Sequence, residues 1–82
     1  MTNSAKDKLK NAFIAALDVR PDSDFESLAY GQTAGWDSVA HMSLISEIET
    51  AFDIMLGTDD VIGMSSFQKA QEIVARNGVD FA

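Results

Sequence analysis

Apolar residues recur at intervals of three and four in three stretches of this chain, and nowhere do they alternate one for one with polar residues. A period near 3.6 lines one face of an α-helix, whereas a half-buried strand needs a period of two. The chain is therefore read as all-α. The first stretch carries Leu9, Ala12, Phe13, Ala16 and Leu17, with Ser4 as N-cap and Asp7 three residues on, and predicts a helix over 5–17. The second carries Leu44, Ile45, Ile48, Ala51 and Phe52 and predicts a helix over 38–52, capped by Asp37. In the third, Ser65 with Gln68 forms a capping box, Phe67, Ala70, Ile73 and Val74 form the stripe, and Gly78 occupies the stop position, which predicts a helix over 66–77.

Two connections complete the expected fold. From Asp18 to Gly35 the helical period vanishes and Pro21, Asp, Ser, Gly and Thr take over, so these 18 residues form a long loop that Phe25, Leu28 and Tyr30 should pin to the helices. Thr58, Asp59 and Asp60 read as the capped, acidic start of a short helix through Ile62, with Val61, Ile62 and Met64 on its buried side. The expectation is one domain over 1–82: an antiparallel four-helix bundle with a long first loop and a short third helix. An element of one or two turns is held by packing rather than by its own propensity.

Composition removes whole classes of function. Without cysteine there is no disulfide, zinc–thiolate cluster or iron–sulfur site, and one histidine leaves no polyhistidine metal centre. No stretch approaches the ~20 apolar residues of a membrane span, and the first residues lack the apolar core of a secretion signal. A cytoplasmic protein without membrane insertion is expected. Thirteen acids against six Lys and Arg give a net charge of −7, which argues against nucleic acid as a partner. Residues 18–60 hold ten of the acids and a single base, Arg20. Such a face either solubilises the surface or steers basic partner proteins toward it.

The chemistry-bearing residue is Ser38. It follows Asp37 in the first turn of the second predicted helix, where unsatisfied N–H groups and the macrodipole favour an anion. Gly35 lets the backbone turn sharply there, so that the hydroxyl faces outward. A Ser-His-Asp triad is excluded, because the only histidine, His41, lies three residues away on the same helix with no separate Asp to orient it. His41 is read instead as packed or hydrogen-bonded. A calcium loop starting at Asp22 fails as well, with Ser27 and Thr33 where Gly and Glu are required. Val39 and Met42 fall outside the buried stripe and flank Ser38 as a candidate contact patch.

The run Trp36-Asp37-Ser38-Val39, followed by Leu44-Ile45, Ile48-Glu49 and Ala51-Phe52-Asp53-Ile54, resembles the acyl and peptidyl carrier protein family. The long first loop, the short acidic third helix and the Met64-Ser65-Ser66-Phe67 start of the last helix extend the likeness over about residues 5–77. The resemblance implies that Ser38 carries 4′-phosphopantetheine and that Asp37 beside it is read by a phosphopantetheinyl transferase; Val39 and Met42 on the apolar patch and Glu47, Glu49, Asp59 and Asp60 in the acidic segment are then the residues expected to meet partner enzymes. Those partners include an acyl-loading ligase or synthase and downstream acyl-processing enzymes. The chain itself is then a monomeric carrier and not an enzyme.

In fatty-acyl carriers the cargo can fold between the helices, and Ile48, Phe52, Val61 and Ile62 are the residues that would line such a cavity. Val39 replaces the usual leucine, and Ala40 and Ser43 stand where carriers of primary fatty-acid synthesis have acids. With Trp36 and His41, these departures look more like stand-alone carriers of specialised pathways. An aminoacyl or peptidyl carrier is the alternative cargo class. A helical adaptor whose Ser38 is only a cap is the alternative from another class.

Overall fold

The computed structural model describes residues 4–79 and 81, which form four α-helices. They are α1 (Ala5–Leu17), α2 (Ser38–Phe52), α3 (Thr58–Gly63) and α4 (Phe67–Arg76), with a short 3₁₀ turn, Phe25–Ser27, in the first loop. The first two helices begin and end where their apolar period predicts. Ser4 Oγ accepts the Asp7 N–H (3.1 Å) at the start of α1, and Asp37 Oδ1 accepts the Ala40 N–H (3.0 Å) at the start of α2. Both helices stop at an aspartate in the left-handed conformation, Asp18 (φ 57°) and Asp53 (φ 54°), a geometry that Asp tolerates better than most non-glycine residues. None of the helices is long and apolar enough to cross a membrane.

Each long helix buries one stripe: Leu9, Ala12, Phe13 and Leu17 from α1, Leu44, Ile45 and Ile48 from α2, and Phe67, Ala70, Ile73 and Val74 from α4. Aromatic rings join these stripes to the loop. Phe13 meets Trp36 edge-on (5.4 Å, 90°) and Phe67 (5.1 Å, 74°), and Phe67 meets Phe25 (5.2 Å). The long loop is therefore part of the core. Residues 29–36 near its end are cross-braced: Thr33 Oγ1 accepts the Ala29 N–H (2.9 Å), Thr33 N–H donates to the Ala29 carbonyl (2.9 Å), and Trp36 N–H donates to the Thr33 carbonyl (3.1 Å). Gly35 makes the final turn at φ +87°, and a Cβ there would sit 3.3 Å from the Leu17 carbonyl oxygen. The positive φ favours glycine, and the close approach to Leu17 would strain any side chain further.

Several expectations need correction. Ala51 is exposed and Phe52 half-buried, the latter tilted against Phe81 (6.4 Å), so the buried stripe of α2 closes one turn earlier than its period suggests. Helix α3 starts after Gly57 with no side-chain cap, which makes Thr58 its first residue and not its N-cap. Val61 and Met64, three apart, face inward, while Ile62, a further 100° round, is 75% exposed.

The cap of α4 lies one position later than predicted: Ser66 Oγ accepts the Lys69 N–H (3.1 Å), and with Lys69 at the third helical position there is no capping box with Gln68. Ser66→Ala should accordingly cost about 1 kcal/mol, whereas Ser65→Ala should be neutral, because Ser65 contributes backbone bonds that alanine keeps. Urea midpoints of the two variants separate these assignments. Equal losses would place the cap elsewhere.

Candidate functional site

Ser38 is the first residue of α2, and its exposed side chain is placed there by two neighbours. Asp37 turns its carboxylate back onto Ala40 N–H while its carbonyl accepts His41 N–H (2.8 Å), which anchors the first turn. On the other side, Tyr30 from the loop brings its phenol to 3.1 Å from Ser38 Oγ. The tyrosine pins the loop as its place in the sequence predicts, while its side chain remains 41% exposed. Its N–H donates to the Ser65 carbonyl (2.9 Å), and its ring packs edge-on against His41 (5.2 Å) and Trp36 (6.2 Å).

Beneath the tyrosine runs a polar relay through the apolar interior. Trp36 Nε1–H donates to His41 Nδ1 (3.0 Å), and His41 Nε2 lies 2.7 Å from the Val61 carbonyl oxygen. An indole nitrogen can only donate, so Nδ1 is the acceptor, and Nε2 carries the proton and donates to Val61. One imidazole thereby ties the loop, α2 and α3 together. Both ring nitrogens are spent on the scaffold, which is the packed and hydrogen-bonded role expected for His41 and not that of a base for Ser38.

Of the residues proposed from sequence, the structure brings Asp37, Ser38, Val39 and Met42 together. Val39 is 78% and Met42 61% exposed, and four residues of helix separate Ser38 from Met42 by only about 6 Å of rise. The four acids lie elsewhere. Glu47, nine residues on from Ser38, points about 180° away and borders a groove between α1 and α2 with Lys8, Asn11 and Ala15. Glu49 accepts the Leu56 N–H (2.9 Å) and so braces the chain after α2. Asp60 pairs with Arg76 (3.0 Å) at the end of α4 and with Asn77 (3.3 Å) just after it, and Asp59 borders the same α3–α4 cleft as Lys69 and Arg76. Glu49 and Asp60 thus already have partners within the fold.

A cleft of about 280 Å³ opens beside Tyr30, lined by His41, Val61, Ile62, Met64 and Ser65. Val61 and Ile62, two of the four residues named for a cargo cavity, border this open cleft. Ile48 and Phe52 were expected too, but Ile48 is completely buried in the core and Phe52 lies at the far end of α2 against Phe81.

Sequence reasoning missed Tyr30 as a neighbour of Ser38 and the Trp36–His41–Val61 relay. One signal was available: a buried tryptophan needs an acceptor for its N–H, and His41, the chain's single histidine, lies five residues away. The acceptor on α3 is a backbone carbonyl, which no side chain announces. Compared with protein-family models, with curated proteins and with solved structures, the chain matches none.

Proposed function

We propose that this protein is an acyl carrier, with Ser38 as the attachment point of a 4′-phosphopantetheine arm. The observation that carries the reading is the placement of Ser38: an exposed hydroxyl at the first position of a 15-residue helix, directly after a capping Asp37, within the run that resembles carrier proteins. The residues present suit the group. A phosphodiester at that position lies where the macrodipole favours negative charge, and Ser38 Oγ has only a phenol beside it among the described residues, so an enzyme can reach it.

Each residue then has a definable task. Asp37 fixes the first turn and offers a carboxylate next to the modified hydroxyl. Val39 and Met42 give an apolar landing patch for the transferase and for acyl-loading and acyl-processing enzymes. Exposed Glu47 and Asp59 contribute to the acidic surface that steers such partners, while Glu49 and Asp60 hold the scaffold. In the attachment step Ser38 Oγ loses its proton to the transferase and bonds to phosphorus, and the nucleotide half of coenzyme A leaves. The arm supplies a terminal thiol that holds cargo as a thioester, and tethering raises the local concentration of that cargo at each partner.

Intact mass of the folded protein, before and after incubation with coenzyme A, Mg²⁺ and a broad-specificity phosphopantetheinyl transferase, tests the reading. The parent should gain one phosphopantetheinyl group and Ser38→Ala none. No gain by the parent, under conditions that modify a known carrier, would leave Ser38 as a cap and the chain as a helical adaptor.

A further inference from the structure

We propose that Tyr30 is the positioning residue of the Ser38 site, setting the direction in which a phosphodiester on Ser38 leaves the protein. This inference rests on the carrier reading above and concerns a contact that the carrier resemblance does not supply. The phenol stands 3.1 Å from Ser38 Oγ although the two residues come from different elements. Its placement is enforced from both ends. The Tyr30 N–H is bonded to the Ser65 carbonyl, and the ring lies edge-on to two buried side chains, Trp36 and His41, which are themselves bonded to each other. A tyrosine has two side-chain torsions, so little freedom remains once its ring is held.

The proton count makes the contact directional. With a free serine either hydroxyl can donate. Once Ser38 Oγ is bonded to phosphorus it has no proton to give, so Tyr30 O–H is the donor and a phosphate oxygen the acceptor. A hydrogen bond to an anionic oxygen is about twice as strong as one between neutral groups. Tyr30 therefore holds the phosphate on the loop side of α2, beside the cleft bounded by Val61 and Ile62, and the arm starts from that side instead of sweeping freely around the helix end.

The test is ³¹P NMR of the modified protein and of modified Tyr30→Phe, which keeps the ring and removes only the hydroxyl. The unmodified pair serves as a control through melting temperature and Trp36 fluorescence. The expected result is a shifted and narrower phosphodiester resonance in Tyr30→Phe, reflecting a loss of the held population of about tenfold, the scale of one charge-assisted hydrogen bond. The control readings should be unchanged.

Identical ³¹P resonances in the two modified proteins would overturn the proposal while leaving the carrier reading intact. A ³¹P change accompanied by altered Trp36 fluorescence in the unmodified variant would assign the effect to ring packing and would equally overturn a role for the hydroxyl. Failure of the parent to accept the arm removes both readings together.

Discussion

Phe13→Ala is expected to lower the melting temperature by about 15–30 °C, following a loss of about 3–5 kcal/mol for deleting a buried aromatic ring. A domain of this size has a total stability of only about 4–12 kcal/mol, so the loss removes from about a quarter to all of it. The site explains the size of the effect. Phe13 is completely buried and meets Trp36 and Phe67 edge-on, so its ring joins α1 both to the loop that leads into Ser38 and to the start of α4. Neither neighbour can collapse into the space: Trp36 is held by His41, and Phe67 follows the Ser66 cap. Met42→Ala, on the exposed patch, should stay within about 0.5 kcal/mol of the parent. Urea or thermal unfolding of the two variants distinguishes ring-centred stabilisation from a diffuse one, and a Phe13→Ala protein as stable as Met42→Ala would refute the aromatic-centred core.

Why Phe13 was identifiable from sequence, while other features were not, follows from what each feature depends on. The bounds of α1 and α2 are local properties. Periodic apolar side chains, a capping Ser or Asp and a turn-forming Asp at the end act within a few residues, and both helices lie where these signals put them. The cap of α4 falls one residue after the predicted position, because Ser65 and Ser66 are chemically equal and local signals cannot choose between them. The choice between them is made by the pairing of Ala29 with Ser66 and by the Tyr30–Ser65 backbone bond, both of which come from a segment more than thirty residues away. Ile62 shows the same limit in a short element. With only six residues, α3 has too few apolar positions to define a face, so tertiary contact alone decides that Val61 and Met64 turn inward.

The site divides along similar lines. Ser38, Asp37, Val39 and Met42 lie within one and a half turns, and their shared position follows from helix geometry alone. The four acids are spread over two helices, α2 and α3, and charge in the sequence does not say whether a carboxylate faces solvent or a backbone N–H. Glu49 and Asp60 found partners inside the fold, at Leu56 and at Arg76 with Asn77, which reduces the acidic surface available for steering. Tyr30 approaches Ser38 through a loop whose course is set by Gly35 and the Thr33 braces, a path that no periodicity encodes.

That loop, α2 and α3 converge on His41, and His41→Phe is expected to destabilise the protein by about 2–4 kcal/mol while loosening α3 more than any other element. Phenylalanine fills a similar space but accepts nothing and donates nothing. The N–H of Trp36, a residue only 1% exposed, would lose its acceptor, and the Val61 carbonyl, at a half-buried residue, would lose its donor. The first loss bears on global stability, because a buried donor left unsatisfied costs about 1–3 kcal/mol. The second bears on α3, which has six residues, no side-chain cap and no fully buried residue of its own. With so little else to hold it, α3 opens locally at small cost. Amide hydrogen exchange should therefore quicken in residues 58–63 beyond what the global change in stability explains, and Trp36 fluorescence should shift. His41→Gln, whose amide both donates and accepts, should recover part of the loss. If His41→Phe matched the parent in unfolding midpoint and in exchange across 58–63, the relay would be incidental, and some other contact would have to hold α3 beside the cleft and Ser38.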